Sequence, residues 1–191
     1  MPSPVGHTLF GLAFARASNV PLAGNRWLAI VVVALLANLP DLDFLPGYLL
    51  GEPTMYHRSL SHTLVAALAA GVLTALVYRA LGREILPYLT VGAVLFASHL
   101  LLDVTTEPGI PMFWPLIDAR VQTSWSVFME LDKVSSSDGF FRSLLSGHNA
   151  RVALWETVLV LPVLLLAELV RPRDRRRPSL AERAIPAPEN E

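Results

Sequence analysis

The sequence has no cysteine and few charged residues. Without cysteine, disulfides and thiolate metal sites are excluded, so any bound metal ion must be held by histidine and carboxylate side chains. Charged residues make up 16% of the 191 residues and apolar residues 53%, whereas a soluble domain has about 25% charged residues. This shortage of charge predicts a surface that faces lipid. The net charge of −1 favours neither a nucleic-acid partner nor an acidic one.

Several catalytic signatures are also absent. The sequence has no Gly-rich phosphate loop, no nucleophile-elbow serine motif and no His-Glu-x-x-His element, which disfavours kinases, serine hydrolases and zincin proteases. Residues 1–4 lack the basic segment of a signal peptide, so we expect Met1 to be the mature start. We expect one membrane-embedded domain over residues 1–170 and a disordered, polar, Pro-rich tail over residues 171–191.

Four apolar runs predict an all-α polytopic membrane bundle. A shorter helix over residues 7–17 precedes them and is too short to span a bilayer, which takes about 20 residues. The runs cover residues 27–39, about 59–79, 87–102 and 151–170. Pro40 is predicted to end the first run, residues 41–55 to form a loop, and Ser59 or Ser61 to cap the second run.

Residues 105–149 differ in kind from the apolar runs. They are rich in proline, glycine and aromatic residues and contain a polar run at 135–139. Long segments of this sort are usually functional or disordered, and aromatic side chains prefer the membrane–water interface. We therefore expect a lid at that interface.

Arginine placement predicts the orientation of the bundle. Five arginines at residues 171–177 predict a cytoplasmic C-terminus, since cytoplasmic segments carry an excess of Lys and Arg. Counting back one crossing per run places the opposite helix ends outside the cytoplasm. Polar residues from five separate segments then share that outward end, although only arginines were used to assign it. Four of the segments supply His7, Asp41, Asp43, His57, His62, His99 and Asp103, and the fifth is the long loop at 105–149.

His99 and Asp103 are the strongest pair among them. Residues four apart lie on one face of a helix, so this imidazole and carboxylate can ligate one ion, or Asp103 can orient His99. The alternative is a helix-terminal aspartate beside a hydrogen-bonded core histidine. Within an apolar helix, where such groups are costly, a metal site is the favoured interpretation.

The segments at 41–43 and 57–62 are interpreted together. Asp41 and Asp43 alone would suggest an ordinary turn, but nearby histidines favour ligation. His57 and His62 would point about 140° apart on one helix, so both reach one site only if His57 precedes the helix. Arg58 is a candidate for gripping a substrate phosphate or carboxylate, or else contacts lipid headgroups.

Two further residues are candidates on weaker grounds. His7 opens the first helix, and a capping or exposed histidine is a serious alternative for it. Glu156 lies within an apolar helix, where an acid needs a partner. It could be a metal ligand, a general base, or the counter-ion of Arg151 or Arg58.

The donor set predicts a divalent metal. About four imidazoles and three carboxylates can serve one or two ions, and nitrogen and oxygen donors of this kind suit Zn²⁺, with Mn²⁺ or Fe²⁺ as alternatives. Such an ion activates water and polarises an ester or phosphoryl oxygen, so hydrolysis is the natural chemistry.

Together these motifs resemble the YdjM-type family, bacterial and archaeal inner-membrane proteins described as predicted metal-dependent hydrolases. The likeness covers roughly residues 5–117 and rests on His7 and on the motifs at 38–43, 57–63 and 99–103. It implies that His7, Asp41, Asp43, His57, His62, His99 and Asp103 form the metal and active-site set. It also implies a bacterial or archaeal inner-membrane location. It implies a reaction class and no particular substrate.

We therefore expect a membrane-bound metal-dependent hydrolase acting on a lipid-like or phosphoester substrate, with Arg58 and Glu156 as further catalytic candidates. Membrane lipids are its expected partners, and no oligomeric state is predicted. The first alternative is a non-catalytic metal-binding scaffold or sensor, whose ion would be saturated by protein ligands. A transporter ranks last, because its polar groups would be spread through the bundle.

Overall fold

The computed structural model describes residues 1–170, and the tail predicted at 171–191 lies outside the described residues. Within the described range every regular element is helical, with a single isolated bridge between Ile110 and Val121. This confirms the predicted all-α class. The α-helices are α1 (Pro4–Ser18), α2 (Arg26–Asn38), α3 (Phe44–Leu49), α4 (Leu64–Ala80), α5 (Ile85–Asp103), α6 (Phe140–Leu144) and α7 (Gly147–Val170), and 3-10 helices cover Leu39–Asp43 and Leu60–His62.

Three helical segments are long and apolar enough to cross a membrane by length and composition. They are Arg26–Leu49, Ile85–Asp103 and Gly147–Val170. The remaining predicted crossing, α4, is apolar but has only 17 residues. A bilayer takes about 20 residues, with a range of about 17–25. Helix α4 lies at the lower limit of this range, so four crossings remain a prediction.

Helix α5 is the central helix of the bundle. Half of its residues are buried, against 17% and 22% in the other two spanning segments, and it packs on α1, α2 and α4. Its contact with α4 is close because small residues face each other. A Cβ on Gly92 would lie 2.5 Å from Thr74 Oγ1, and one on Gly71 would lie 2.7 Å from the Leu89 carbonyl oxygen. This agrees with the small-residue packing common between membrane helices.

The segment after α2 was predicted to be a loop, and that prediction is wrong for its first part. The α-helix ends at Asn38 as Pro40 requires, but the chain continues through a 3-10 helix and α3 to Leu49. Proline is tolerated in the first turn of a helix, where its missing N–H has no intrahelical acceptor. Pro40 stands at this position in the 3-10 helix.

The cap of α4 also differs from the prediction. Thr63 is the N-cap, and its hydroxyl accepts a hydrogen bond from the Ala66 N–H at 3.1 Å. Ser61 instead donates to Asp43 Oδ2 at 2.7 Å. The helix therefore starts after His62, which leaves both His57 and His62 in the preceding non-α segment.

Residues 105–149 fold back over the end of the bundle where α5 finishes. The Thr123 N–H donates to the Val104 carbonyl at 2.8 Å, and Ser137 Oγ donates to the Tyr48 carbonyl at 2.8 Å. Phe140 packs on Phe44 with ring centroids 5.1 Å apart. These contacts fasten the segment to the helix ends that carry the predicted site.

Candidate metal centre

Four segments that are distant in sequence deliver their polar side chains to one place. The 3-10 helix after α2 supplies Asp41, the 3-10 helix before α4 supplies His62, and the last turn of α5 supplies His99 and Asp103. Helix α1 brings His7 alongside. His7, His62, His99 and Asp103 are fully buried. Asp41, His62, His99 and Asp103 could hold a metal ion, since their donor atoms all lie within 4.8 Å of one another.

Four of the spacings between the donor atoms are close to those expected around a small tetrahedral ion. His62 Nε2 lies 3.7 Å from Asp41 Oδ1 and 3.2 Å from Asp103 Oδ2. His99 Nε2 lies 3.5 and 3.7 Å from the same two oxygens. Ligands bound at about 2.0–2.2 Å to a tetrahedral ion are about 3.3–3.6 Å apart. These four spacings are compatible with one small ion held by the group.

The His99 ring is oriented for this role by a backbone group. Its Nδ1 lies 2.8 Å from the Ala37 carbonyl oxygen. A carbonyl only accepts, so Nδ1 carries the proton and Nε2 presents its lone pair to the cluster. Metal-binding histidines are generally held in this way by a carbonyl or carboxylate on the other ring nitrogen.

The hydrogen bonding of the cluster is incomplete. Nine buried side-chain nitrogen or oxygen atoms in the described residues lack a hydrogen-bond partner, and all but Asn38 Oδ1 belong to the cluster. They are on His7, Asp41, His62, His99 and Asp103. Buried polar groups in folded proteins are nearly always paired, so this concentration of unpaired atoms marks the cluster as a group that could hold a metal ion.

Asp43 behaves differently from Asp41 and Asp103. Its Oδ2 accepts from the Ser61 hydroxyl at 2.7 Å and from the Arg58 N–H at 3.0 Å, and its Oδ1 lies 3.1 Å from His57 Nδ1. His62 Nδ1 is 3.3 Å from Oδ2. Asp43, His57 and His62 are near enough to form a second group of donors, but the Asp43 oxygens are already satisfied.

The carboxylates also change the protonation of His62. Burial alone lowers the pKa of this imidazole, but its contacts with Asp103, Asp41 and Asp43 outweigh burial and raise the pKa to about 10. Without a metal ion, His62 is therefore protonated at neutral pH. Metal binding must displace that proton, since only neutral imidazole coordinates a metal.

His7 lies beside the four donors. It does not approach Asp103 Oδ2, one of the two oxygens that His62 and His99 share. Its ring stacks on His99 with centroids 3.6 Å apart and planes 12° from parallel. Its Nε2 lies 3.7 Å from Asp103 Oδ1, the oxygen that faces away from His62. The imidazole is therefore placed at the cluster, beside the second oxygen of Asp103.

Arg58 is buried and fully engaged with the protein. Its guanidinium donates to the Thr106 hydroxyl at 2.6 Å and to the Glu107 carbonyl, and its Nε lies 3.5 Å from Asp103 Oδ2. The side chain is 4% exposed. These contacts fix one face of Asp103 and fasten the start of the 105–149 segment to the cluster.

Glu156 lies outside both donor groups. It accepts hydrogen bonds from the Ser3 N–H at 2.8 and 3.0 Å and from the Ser3 hydroxyl. Ser3 in turn caps α1 through the Gly6 N–H. In the structure the partner of Glu156 is thus the first turn of α1, a favourable place for a carboxylate, and neither Arg151 nor Arg58.

Lys133 contacts His57, which lies beside the cluster, but was missed by the sequence analysis. Its ammonium group donates to His57 Nε2 at 3.0 Å and contacts Met1 Sδ. Burial lowers its pKa. One signal could have identified it, because Lys133 is the only lysine in the chain. The 105–149 segment has no periodicity, so nothing in the sequence placed this residue near His57.

These features define an inner-membrane protein built as an apolar helical bundle, with a buried His/Asp group at one end that could hold a metal ion. The chain belongs to the family described as YdjM inner membrane protein, which it matches over residues 1–174. It is 34% identical over 129 residues to the inner membrane protein YdjM of Escherichia coli K12 and to that of Shigella flexneri. Each match covers 58% of this chain and 64% of the relative. No solved structure matches the chain significantly.

Proposed function

We propose that this protein is a membrane-bound metal-dependent hydrolase that acts on a lipid-like or phosphoester substrate. Asp41, His62, His99 and Asp103 would hold one divalent ion, with Zn²⁺ as the first candidate and Mn²⁺ or Fe²⁺ as alternatives. The proposal is carried by one observation, the buried nitrogen and oxygen atoms that face one another without hydrogen-bond partners.

The remaining predicted ligands take supporting roles in this proposal. Asp43 is satisfied by hydrogen bonds and holds His57 and His62 in place. Arg58 offsets the charge of Asp103, and Glu156 pins α1, which carries His7. A single ion is therefore preferred to two, because a second ion at Asp43 would have to break the hydrogen bonds that this carboxylate already makes.

A bound divalent ion at this place would lower the pKa of a coordinated water and polarise an ester or phosphoryl oxygen. The chain contributes the access route. A cavity of about 80 Å³ is lined by Asp41, His57 and Lys133, and a more open cavity of about 400 Å³ shares His57 and Lys133 with it. Only the Asp41 face of the donor set is partly exposed, at 13% of the side chain. A substrate would reach the ion from this side.

The lipid-like substrate class follows from the position of the donors. Asp103 is the last residue of the spanning helix α5, and Asp41 lies three residues after the end of α2. Side chains at the ends of spanning helices lie near the headgroup region of the bilayer. We propose that this end faces away from the cytoplasm, as the arginine distribution predicts. A C-terminal reporter fusion should therefore be active only in its cytoplasmic form.

The experiment is a turnover assay on full-length protein purified in detergent, loaded with Zn²⁺ or stripped by a chelator. The panel contains phospholipids and water-soluble phosphoesters. Metal-dependent release of product is expected, with His99→Gln inactive and the exposed-surface variant Arg142→Met fully active. Absence of turnover on the whole panel, with one ion bound per chain, would contradict the hydrolase proposal.

A second function is favoured by a specific feature of the site. Four protein donors can complete a tetrahedral shell, and closed shells are typical of structural ions. The protein would then be a metal-stabilised scaffold or sensor. X-ray absorption on the loaded protein separates the two proposals. A coordination number of five or six indicates room for water or substrate, and four protein ligands alone indicate a structural ion.

A further inference from the structure

Three cationic side chains surround the route to the metal centre. Arg58, Arg120 and Lys133 all line the outer cavity of about 400 Å³, together with the carboxylates Glu107 and Glu130. Lys133 alone among the three cations also lines the inner cavity of about 80 Å³, which reaches Asp41. The position of Lys133 is thus intermediate between solvent and the donor group.

The two arginines are occupied by the protein itself. Arg58 donates to the Thr106 hydroxyl and the Glu107 carbonyl and contacts Asp103. Arg120 donates through Nη2 to the Arg58 and Gly109 carbonyls at 3.2 and 3.0 Å, and through Nε to the Pro108 carbonyl at 3.1 Å. Their N–H groups serve to hold residues 106–120 in place.

Lys133, unlike the two arginines, donates no hydrogen bond to a carbonyl or hydroxyl group in the part of the chain that the structure describes. Its ammonium group contacts a neutral sulfur on Met1 and His57 Nε2, and it makes no ion pair within the described residues. His57 Nδ1 faces Asp43, so Nε2 accepts the hydrogen bond and the ring is neutral. A largely buried ammonium that makes no ion pair is costly, and at least one of its three donors remains for a ligand.

The charges around the cavity lead to the same conclusion. A divalent ion together with Arg58 would balance the three carboxylates of Asp41, Asp43 and Asp103. Glu107, Glu130 and Arg120 line the outer cavity, so Lys133 is the side-chain cation that lines the inner cavity. The volume of about 80 Å³ corresponds to two or three water molecules at about 30 Å³ each, enough for a small anionic group.

We propose that Lys133 is the anion-binding residue of this site and contacts a phosphoryl oxygen of the substrate in the inner cavity between Lys133, His57 and Asp41. This inference extends the hydrolase proposal. It rests on that proposal in treating the bound anion as part of a substrate. Lysine binds phosphate as a point charge. The assignment accounts for an ammonium group that the 105–149 segment places against His57, at the inner cavity that Asp41 also lines.

The unique lysine allows a direct test without turnover. Full-length, Zn²⁺-loaded protein in maltoside micelles is acylated with an amine-reactive ester, and modification of Lys133 is followed by peptide mass spectrometry. Inorganic phosphate should slow this acylation at least severalfold, whereas sodium chloride at equal ionic strength should not. Equal rates with phosphate and with chloride would overturn the proposal, provided that phosphatidic acid added to the micelles also fails to protect.

The same experiment identifies the source of the phosphoryl group. Protection by phosphatidic acid in mixed micelles, at lower concentration than by inorganic phosphate, supports the anion site and assigns it to a lipid headgroup. Protection by inorganic phosphate alone supports the site and assigns it to a soluble phosphate ester.

Binding of inorganic phosphate, measured by ³¹P NMR titration, tests the side chain itself. Lys133→Met should weaken phosphate binding about tenfold or more, because a charge-assisted contact is lost. Lys133→Arg should restore most of the affinity. The control variant Arg142→Met removes an exposed cation of α6 and should bind phosphate as the unmodified chain does. Metal content and helical circular dichroism should be the same in all variants.

The outcomes separate this proposal from the hydrolase proposal. If phosphate binding depends on Lys133 but no ester is turned over, the anion site stands and hydrolysis is disproved. If esters are hydrolysed but Lys133→Met leaves phosphate affinity and KM unchanged, the enzyme stands and the anion site is disproved.

Discussion

The two ends of helix α5 bury polar side chains in opposite ways. Near the first end, the Tyr88 hydroxyl donates to the Pro21 carbonyl at 2.9 Å, and Tyr78, stacked on it with centroids 3.9 Å apart, donates to the Leu22 carbonyl. At the last turn, His99 Nε2 and both oxygens of Asp103 have no hydrogen-bond partner. One end is internally complete and the other is not.

The difference separates structural polarity from functional polarity in the same helix. A buried group without a partner costs about 1–3 kcal/mol, and more when charged. The tyrosine end avoids this cost with backbone carbonyls. Eight such atoms lie together at the histidine end, where the His/Asp group could hold a metal ion. Composition alone does not distinguish the two ends, because both are polar residues at the ends of one apolar helix.

The largest effect should come from removing a donor. Asp41→Asn or His99→Gln should reduce bound Zn²⁺ from about one ion per chain to near background, since each removes one of four donors. Elemental analysis of detergent-purified protein measures this. Tyr88→Phe, at the complete end of α5, is the control and should keep its ion. Full metal content in both donor variants would show that the donors at the last turn of α5 do not hold the ion.

A smaller loss is expected from Asp43→Asn, because Asp43 orients His57 and His62 without facing the ion. Loss of such a supporting group typically weakens metal affinity by about 10- to 100-fold. Competition with a chromogenic chelator measures the affinity. If Asp43→Asn abolished binding as completely as Asp41→Asn, Asp43 would have to be reassigned as a ligand.

Metal affinity should also depend on pH. Because the pKa of His62 is raised to about 10 without metal, an ion must displace a proton at any lower pH. Affinity should therefore rise by up to tenfold per pH unit between about pH 6 and pH 9, with about one proton released per ion. Calorimetry in buffers of different ionisation enthalpy counts this proton. Affinity independent of pH over that range would show that His62 is neutral before binding.

The smallest effect is expected at the tyrosine end of α5, where the buried hydroxyls already have hydrogen-bond partners. Tyr88→Phe removes the hydrogen bond to the Pro21 carbonyl and should cost about 0.5–1.5 kcal/mol of stability. Titration with a denaturing detergent measures this, with Thr90→Val as a comparison because the Thr90 hydroxyl is exposed and bonds only within its own helix. A change in Zn²⁺ content in Tyr88→Phe would mean that the two ends are coupled.

Local patterns in the sequence predicted much of the candidate site. The i, i+4 spacing of His99 and Asp103 predicts a shared face, and Pro40 predicts the end of α2, which places Asp41 just beyond the helix. The cap at Thr63 could not be chosen from sequence, because Ser59 and Ser61 are equally good cap residues. In the structure the Ser61 hydroxyl bonds to Asp43, a residue 18 positions earlier, and Thr63 caps the helix.

The sequence by itself determined that this chain is helical, lies in a membrane, and can bind a metal only through nitrogen and oxygen donors. These conclusions follow from composition and short-range spacing. The tertiary structure alone decided that the Asp41 and Asp103 oxygens are left without hydrogen-bond partners while Asp43 is satisfied, and that Lys133 lies against His57. Hydrogen-bond satisfaction and charge balance depend on atoms brought together from distant segments, and no local pattern encodes those distances.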